Sequence, residues 1–264
     1  MTVFTSRISG GLIEPVVSHV KGFVVALQFL TRFNFSRQLE VTPEELGRSV
    51  GYFPLVGAGL GLLLAGFSQA AMGRIPVSVL AVALILLEMS VTGGLHCDGL
   101  MDTMDGIFSG RSQERMLAIM KDSRVGAFGV MGFGTFLLGK WSLLLELLPA
   151  GAGSALLIMP VLGRFAAAVA ICAFPYVRAE GLGKAFAEFA GRGTLCVALA
   201  WTLLFILPFG TAGVICLAAA TGFAALFARY VQNLLGGLTG DVYGAVIELT
   251  EIVVLLTFLL VRHW

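Results

Sequence analysis

Residues 76–106 read PVSVLAVALILLEMSVTGGLHCDGLMDTMDG, an apolar run followed by a glycine pair and by aspartates at positions 98, 102 and 105. A helix needs about 20 apolar residues to cross a bilayer, with a range of about 17–25. Residues 76–92 meet that length, and the aspartates follow where the chain would leave the hydrocarbon. The stretch therefore predicts a membrane helix with an acidic site at its mouth.

The composition of the chain is typical of a membrane protein. Of its 264 residues, 58% are hydrophobic and 12% are charged, whereas soluble domains carry about 25% charged residues. The mean hydropathy is +0.93. We predict an all-α, polytopic helix bundle that forms one membrane-embedded domain over residues 1–264. Association of several copies of the chain is possible. The formal net charge of +1 argues against nucleic acid as a partner, and the cysteines lack metal or disulfide spacing, so we expect free thiols.

Seven segments are predicted to span the membrane: 52–71, 76–92, 127–148, 154–174, 194–207, 212–227 and 244–261. The segments that flank Pro208 and Gly210 form either two spans or one broken helix. Residues 23–33 have helical apolar spacing but are too short to span, which favours an interfacial or half-inserted helix. The sequence GAGLG at 57–61 predicts close helix packing, since no strand precedes it and no phosphate-loop Lys follows it.

The basic residues predict the orientation of these spans. Most Lys and Arg residues precede the first span or lie in the loops after spans two, four and six. Basic loops stay in the cytoplasm, so we expect a multi-pass protein of the cell inner membrane with a cytoplasmic active site. One cytoplasmic pocket is predicted to collect Asp98, Asp102, Asp105, Asp122, Lys184 and Asp241.

The three aspartates have the spacing of a metal site. Intervals of four and three residues place Asp98, Asp102 and Asp105 on one face of a helix, where like charges repel unless a cation lies between them. Oxygen ligands favour Mg²⁺ or Mn²⁺ over zinc. Asp122, in a second short helix, is predicted to supply a fourth ligand. The alternative is that these aspartates are solvated loop charges, of which Asp98 alone could cap a helix.

The neighbouring residues indicate a phosphorylated substrate. Arg111, Lys121 and Arg124 follow the aspartates and are suited to hold a pyrophosphate and to neutralise charge that develops on it. Each base is, as an alternative, an ordinary cytoplasmic residue of a membrane protein. His96 is predicted to hydrogen-bond to substrate rather than to bind metal.

A second acidic cluster lies near the carboxyl terminus. Asp241, Glu248 and Glu251 share one helical face, and the two glutamates fall inside the predicted last span, where ionisable groups are costly and usually functional. Asp241 and Glu248 are predicted to bind substrate. The alternative for the glutamates is a structural ion pair with Arg164, and Glu88 is open to both interpretations.

These motifs resemble one family. The sequence GGLHCDGLMDTMDGIFSGRSQERMLAIMKDSRVGAFGV at 93–130 resembles the signature of adenosylcobinamide-GDP ribazoletransferase, the cobalamin synthase of vitamin B12 assembly. GYFPLVGAGLG at 51–61, PVLGRFA at 160–166, FPYVRAEGLGKAF at 174–186 and GGLTGDVYGAVIELTE at 236–251 match in the same order. The DTMDG at 102–106 is also similar to the D-x-x-D-G of CDP-alcohol phosphotransferases, but the Ala-Arg that follows in that group is missing.

The resemblance implies a Mg²⁺-dependent phosphotransferase (Mn²⁺ is possible) that acts late in cobalamin biosynthesis. The ribose 3′-hydroxyl of α-ribazole, or of its 5′-phosphate, attacks adenosylcobinamide-GDP and GMP leaves. Asp98 and Asp122 are the candidate catalytic carboxylates. Asp98, Asp102, Asp105 and Asp122 are the candidate metal ligands. A CDP-alcohol phosphatidyltransferase-like enzyme is the alternative function, followed by a membrane cation transporter.

Overall fold

The computed structural model describes residues 10–33 and 40–261, with side chains from residue 19 onward. These ranges contain the helices α1 (Gly10–Leu30), α2 (Pro43–Ser49), α3 (Phe53–Ala71), α4 (Val77–Thr92), α5 (Leu95–Phe108), α6 (Gln113–Ile119), α7 (Ala127–Leu147), α8 (Gly153–Ala173), α9 (Leu182–Phe189), α10 (Arg192–Ile206), α11 (Gly210–Leu235) and α12 (Gly240–Val261). They contain no β-strand, only isolated bridges such as Tyr176 to Leu238. The all-α prediction is therefore confirmed.

Several helices are long and apolar enough to cross a membrane. In the described ranges they fall into five stretches, Pro43–Ala71, Ala127–Ala150, Gly153–Ala173, Arg192–Leu235 and Gly240–Val261, or six with the bent pair α4 and α5. A multi-pass membrane bundle is confirmed, whereas the predicted number of seven spans is not. The predicted interfacial helix 23–33 is part of the longer helix α1, whose apolar portion is His19–Leu30.

Different helix termini lie at the two ends of the bundle. At one end, a common cavity is lined by Ser68 in the last turn of α3, Met72 after α3, Pro149 after α7, Gly153 of α8 and Phe209 between α10 and α11. At the other end, the carbonyl of Leu235 accepts a hydrogen bond from Gln113 of α6. Helices α10 and α11 therefore meet near Phe209 at the first end of the bundle. Helix α11 then runs back to the second end, where Leu235 lies.

Close packing of α3 on α8 confirms the interpretation of the glycines at 57–61. A side chain at Gly61 would place its Cβ 2.9 Å from the Leu157 Cα, and a Cβ at Gly57 would lie 2.8 Å from the carbonyl carbon of Pro160. Such distances are too short for any side chain, so small residues allow the two backbones to approach.

A sharp bend separates α4 from α5. The two helices meet at 94°, and the linking residues Gly93 and Gly94 have φ values of +67° and +72°. Only glycine adopts this left-handed conformation without strain. The Arg32 backbone N–H, beyond the end of α1, donates to the carbonyl of Val91 at 2.8 Å. The bend directs α5 away from the axis of α4.

A network of buried charges joins four helices in the centre of the bundle. Its members are Glu88 of α4, Lys140 of α7, Arg164 of α8, and Glu248 and Glu251 of α12, each at most 4% exposed. Lys140 Nζ lies 2.7 Å from Glu88, 2.5 Å from Glu251 and 3.6 Å from Glu248. Arg164 also pairs with Glu251. The ion-pair interpretation of Glu251 and Arg164 is confirmed, and Lys140 is a partner that the sequence analysis did not identify.

We expect Lys140→Met to lower the free energy of unfolding by about 3–5 kcal/mol, because removing one member of a buried ion pair leaves its partners uncompensated. Denaturant unfolding of the detergent-purified protein measures the effect. Adding Glu88→Gln to the Lys140 variant should recover part of the loss, since one uncompensated carboxylate is removed. Lys184→Met, at an exposed position, is the control and should change stability by about 0.5 kcal/mol or less. Equal stabilities of the two single variants would contradict a stabilising network.

Candidate active site

The aspartate helix α5 is held against α12 by two glycines. A side chain at Gly99 would place its Cβ 2.6 Å from the carbonyl oxygen of Asp241. A side chain at Gly244 would lie 3.1 Å from the Cα of His96. The close approach brings the first two turns of α5 next to the first turn of α12. Carboxylates that are far apart in the sequence therefore share one site.

An acidic cluster forms where these helices meet. Asp98 is exposed and Asp102 is half-buried, and the charged neighbours of Asp102 are Asp98, Asp105, Asp241 and Arg178. Arg178 Nη2 donates to Asp241 Oδ2 at 2.6 Å. The cluster joins three carboxylates, Asp98, Asp102 and Asp241, to one guanidinium group.

Arg178 reaches this cluster because of a short backbone pairing. The backbone N–H of Val177 donates to the carbonyl of Leu238 at 2.9 Å, and the Leu238 N–H donates to Pro175 at 2.8 Å. The two paired segments precede Arg178 and Asp241 directly. Thr239 Oγ1 also donates to Asp241 Oδ2 at 3.2 Å. Sequence reasoning missed Arg178, although it lies inside the 174–186 motif.

Asp105 contacts the start of α7 rather than the acidic cluster. Its carboxylate is buried and accepts from the backbone N–H groups of Gly126 at 2.6 Å and Gly129 at 2.7 Å. These groups belong to the first turn of α7, whose N–H groups have no partners within their own helix. The carboxylate also carries the charge sign that a helix amino terminus favours. Asp105 therefore fixes the start of α7 beside α5.

Asp122 lies in the turn after α6, not within a second short helix as predicted. Its carboxylate accepts from Arg124 through Nε at 3.0 Å and Nη2 at 2.6 Å. These hydrogen bonds stabilise the ionised form and lower the pKa of Asp122 to about 2. A carboxylate with so low a pKa is a weak proton acceptor at neutral pH.

A large cavity, which we call the aromatic cavity, opens beside the acidic cluster. Its volume is about 850 Å³. Its polar and charged lining residues are Asp98, Asp241, Lys121, Arg178, Glu180 and His96, and the other lining residues include the rings of Phe29, Phe53, Phe186, Tyr176 and Tyr243. An apolar pocket with a few convergent polar groups is typical of a small-molecule site.

A second cavity, the basic cavity, lies at the other end of α5. It measures about 660 Å³ and is lined by Arg111, Arg115, Arg124, Asp105, Asp122 and Ser109, among others. Three guanidinium groups around one space suit a phosphate, to which arginine binds through two parallel hydrogen bonds. The predicted pocket is thus divided in two, with α5 contributing to both cavities.

The remaining predicted residues have separate positions. Lys184 is exposed on α9, whose Leu182, Gly183 and Phe186 line the aromatic cavity. Glu248 belongs to the buried network and accepts from Cys97 Sγ at 3.5 Å. Its predicted contact with substrate stays a prediction. All four cysteines are free, as expected.

The carboxylates fit magnesium only with help from a substrate. Within the described residues, no three His, Cys, Asp or Glu side chains form a ready-made metal site. Mg²⁺ is, however, usually held by one or two carboxylates together with substrate phosphates and water. Asp98 and Asp102, one helical turn apart beside a cavity, match that chemistry. The four-aspartate ligand set stays a prediction.

Comparison with known proteins gives a consistent result. A family model described as cobalamin-5-phosphate synthase matches residues 22–259. A relative from Desulfitobacterium hafniense named adenosylcobinamide-GDP ribazoletransferase is 46% identical over 88% of this chain and 94% of its own. Relatives with the same name from Desulforamulus reducens and Ectopseudomonas mendocina are 42% and 40% identical, each over 89% of this chain and over 95% and 97% of their own. No solved structure matches the chain.

Proposed function

Since the chain belongs to the cobalamin-5-phosphate synthase family, and is thus a transferase of cobalamin synthesis, we propose that it joins adenosylcobinamide-GDP to α-ribazole or α-ribazole 5′-phosphate. The observation that carries the proposal is the cluster of Asp98, Asp102 and Asp241 with Arg178. Of these residues, Asp98, Asp241 and Arg178 line the aromatic cavity. Such a cluster suits the transfer of a phosphate group to a hydroxyl.

The proposed step breaks one phosphoanhydride bond and forms one phosphate ester bond. The 3′-hydroxyl oxygen of the acceptor ribose attacks the phosphorus that carries cobinamide. The bond from that phosphorus to the bridging oxygen of the pyrophosphate breaks, and GMP leaves with the bridging oxygen. The hydroxyl proton passes to a carboxylate of the protein. The products are adenosylcobalamin, or its 5′-phosphate, and GMP.

We assign the proton acceptor to Asp98 rather than to Asp122. Asp98 is exposed at the cavity wall and has no ion-pair partner among the described residues. Asp122 is held by Arg124, and its low pKa makes it a poor base. Arg178 orients Asp241, which in turn is placed to bind a hydroxyl of the acceptor.

The basic cavity is assigned to the nucleotide phosphates of the donor. Arg111 and Arg115 line it together with Arg124, and both are exposed and lack an ion-pair partner in the described part of the chain. Magnesium, held by Asp98 and Asp102, would neutralise charge on the pyrophosphate oxygens. Lys121, His96 and Glu180 also line the aromatic cavity.

A product assay tests the function. Purified protein in lipid nanodiscs, supplied with adenosylcobinamide-GDP, α-ribazole and Mg²⁺, should release GMP in step with cobalamin formation. A CDP-alcohol phosphatidyltransferase would instead release CMP from a CDP-alcohol. Release of CMP without any GMP would overturn the proposal in favour of that alternative.

The cytoplasmic orientation of the site gives a further expected result. A cysteine at Ser112, before α6, should resist a membrane-impermeant thiol reagent in intact cells and react after lysis, because basic loops stay in the cytoplasm. A cysteine at Ala150, exposed at the opposite end of the bundle, should react at once. Both are placed in a variant whose native cysteines have been replaced. Labelling of the Ser112 variant in intact cells would place the site on the outer face.

A further inference from the structure

Three uncharged runs of the chain begin near one another in the fold. These runs cover residues 22–31, 49–73 and 193–228, and they begin in α1, before α3 and at the start of α10. Each run is directly preceded by a basic residue: Lys21, Arg48 and Arg192. Basic residues at the start of a membrane segment place their charges at the level of the lipid headgroups.

A separate cavity, which we call the interfacial cavity, lies where these runs begin. It measures about 480 Å³, and its charged lining residues are Lys21, Glu45 and Arg48. Gly193 and Thr194 of the first turn of α10 also line it. Helices α3 and α10 both run from here to the end of the bundle where Met72 and Phe209 lie, so the cavity is at the opposite end. That end is the one that the basic residues predict to be cytoplasmic.

The charges of this cavity leave one cation uncompensated. Lys21 Nζ lies 2.7 Å from Glu45 Oε1, and Glu45 Oε2 accepts from the backbone N–H of Thr42 at 3.0 Å. Arg48 is exposed, and its guanidinium group forms no ion pair among the described residues. The excess of one positive charge equals in magnitude the single negative charge of a phosphodiester.

The start of α10 adds hydrogen-bond donors to this charge. The first bond within the helix runs from the Leu195 N–H to the carbonyl of Gly191 at 3.0 Å. The N–H groups of Arg192, Gly193 and Thr194 therefore have no partner inside the helix, and no side chain caps it. A Cβ at Gly193 would meet no atom within 4 Å, so the space beside these groups is open. Such N–H groups favour an anion.

The interfacial cavity also has apolar surface. Phe189, at the end of α9, lines it and is 37% exposed, and Val197 of α10 lines it as well. A soluble phosphate gains nothing from apolar surface, whereas a phospholipid carries acyl chains next to its phosphate. Basic pockets between membrane helices bind anionic lipid headgroups.

We propose that the interfacial cavity binds the headgroup of an anionic phospholipid, whose phosphate lies between the guanidinium group of Arg48 and the first turn of α10. The site is distinct from that of the proposed reaction, because no residue of the acidic cluster lines it. Helix α9 lies between the two cavities: its Phe186 lines the aromatic cavity and its Phe189 lines the interfacial cavity.

The proposal is tested by lipid binding to the detergent-purified full chain, measured by native mass spectrometry. Phosphatidylglycerol should bind at least about tenfold more tightly than zwitterionic phosphatidylcholine, and Arg48→Gln should weaken phosphatidylglycerol binding by about tenfold. Arg229→Gln is the matched control, since Arg229 is exposed near the end of α11, at the same end of the bundle, and does not line the cavity. Equal weakening by the two variants would show a general attraction to basic residues and would overturn the site.

A second pair of variants separates binding from folding. Gly193→Glu places a carboxylate at the start of α10, which a helix amino terminus favours, and this carboxylate repels a phosphate. Phosphatidylglycerol binding should fall at least about tenfold without a lower unfolding temperature in phosphatidylcholine nanodiscs, whereas Gly193→Gln, of the same size, should keep the binding. Equal affinities of the two variants would overturn the anion site.

The source of the phosphate is tested with the headgroup alone. Glycerophosphoglycerol, which is phosphatidylglycerol without its acyl chains, should compete at least about tenfold more weakly than the lipid, because it cannot use the apolar surface. Competition as strong as that of the lipid would assign the cavity to a soluble phosphate compound and overturn the lipid assignment. None of these measurements depends on turnover, so the proposed function stands or falls separately.

Discussion

Replacement of Asp98 by Asn is expected to lower kcat by more than about 10²-fold, because loss of a proton acceptor and metal ligand removes several kcal/mol of transition-state stabilisation. Stability should hardly change, since Asp98 is exposed. The amide of Asn keeps the size of the side chain but neither its charge nor its basicity. Initial rates of GMP release by the purified variant measure the effect.

Glu114→Gln is the matched control for this variant. Glu114 is exposed in the first turn of α6 and lines neither cavity, so its neutralisation should leave kcat near the wild-type value. The thermal unfolding of both variants in detergent shows whether the bundle is intact. A near-normal kcat of the Asp98 variant would leave the solvated-loop interpretation of this aspartate in place.

Removal of divalent cations is expected to abolish turnover. In the proposed complex, Asp98, Asp102 and Asp241 would lie beside a substrate that carries a pyrophosphate, and carboxylates and phosphates repel one another without a cation between them. Rates are measured after dialysis against EDTA and again after Mg²⁺ or Mn²⁺ is restored, with zinc as the comparison metal. Mg²⁺ and Mn²⁺ should recover the activity, since oxygen ligands favour hard cations.

The control for the chelation experiment is a measurement of whether the protein stays folded. The helix content of the protein, measured by circular dichroism, should be the same with and without EDTA, because no group of three His, Cys, Asp or Glu side chains among the described residues is arranged to hold a metal ion by itself. Full turnover after thorough metal removal would refute the magnesium requirement. It would leave Arg178 and the arginines of the basic cavity as the groups that neutralise the phosphates.

The sequence predicted that the three aspartates lie along one helix, but it did not predict which residues each of them contacts. Helical spacing correctly placed Asp98, Asp102 and Asp105 along α5. It carries no information on what packs against each turn, and so it missed that Asp105 binds the first turn of α7. The approach of Asp241 depends on Gly99, and a glycine in a helix has several possible causes that a single sequence does not separate.

The buried network of charges shows a second reason why the sequence did not predict every contact. Glu251 and Arg164 were recognised as a possible pair because ionisable residues inside apolar segments need partners. Lys140 lies in a different apolar segment, 111 residues from Glu251. Its role is set by the packing of α7 beside α12, a contact between distant parts of the chain. Arg178 was missed for the same reason, since only the pairing of residues 175–177 with Leu238 brings it to Asp241.

The same network imposes an order on biosynthesis. As the chain is made from its amino terminus, Glu88, Lys140 and Arg164 enter the membrane before Glu248 and Glu251 exist, so two cations share a single carboxylate. Charges held in hydrocarbon without enough counterions are costly. The nascent bundle therefore cannot reach its final arrangement until α12 has been inserted. Helix α12, which also carries Asp241, links formation of the buried network to formation of the active site.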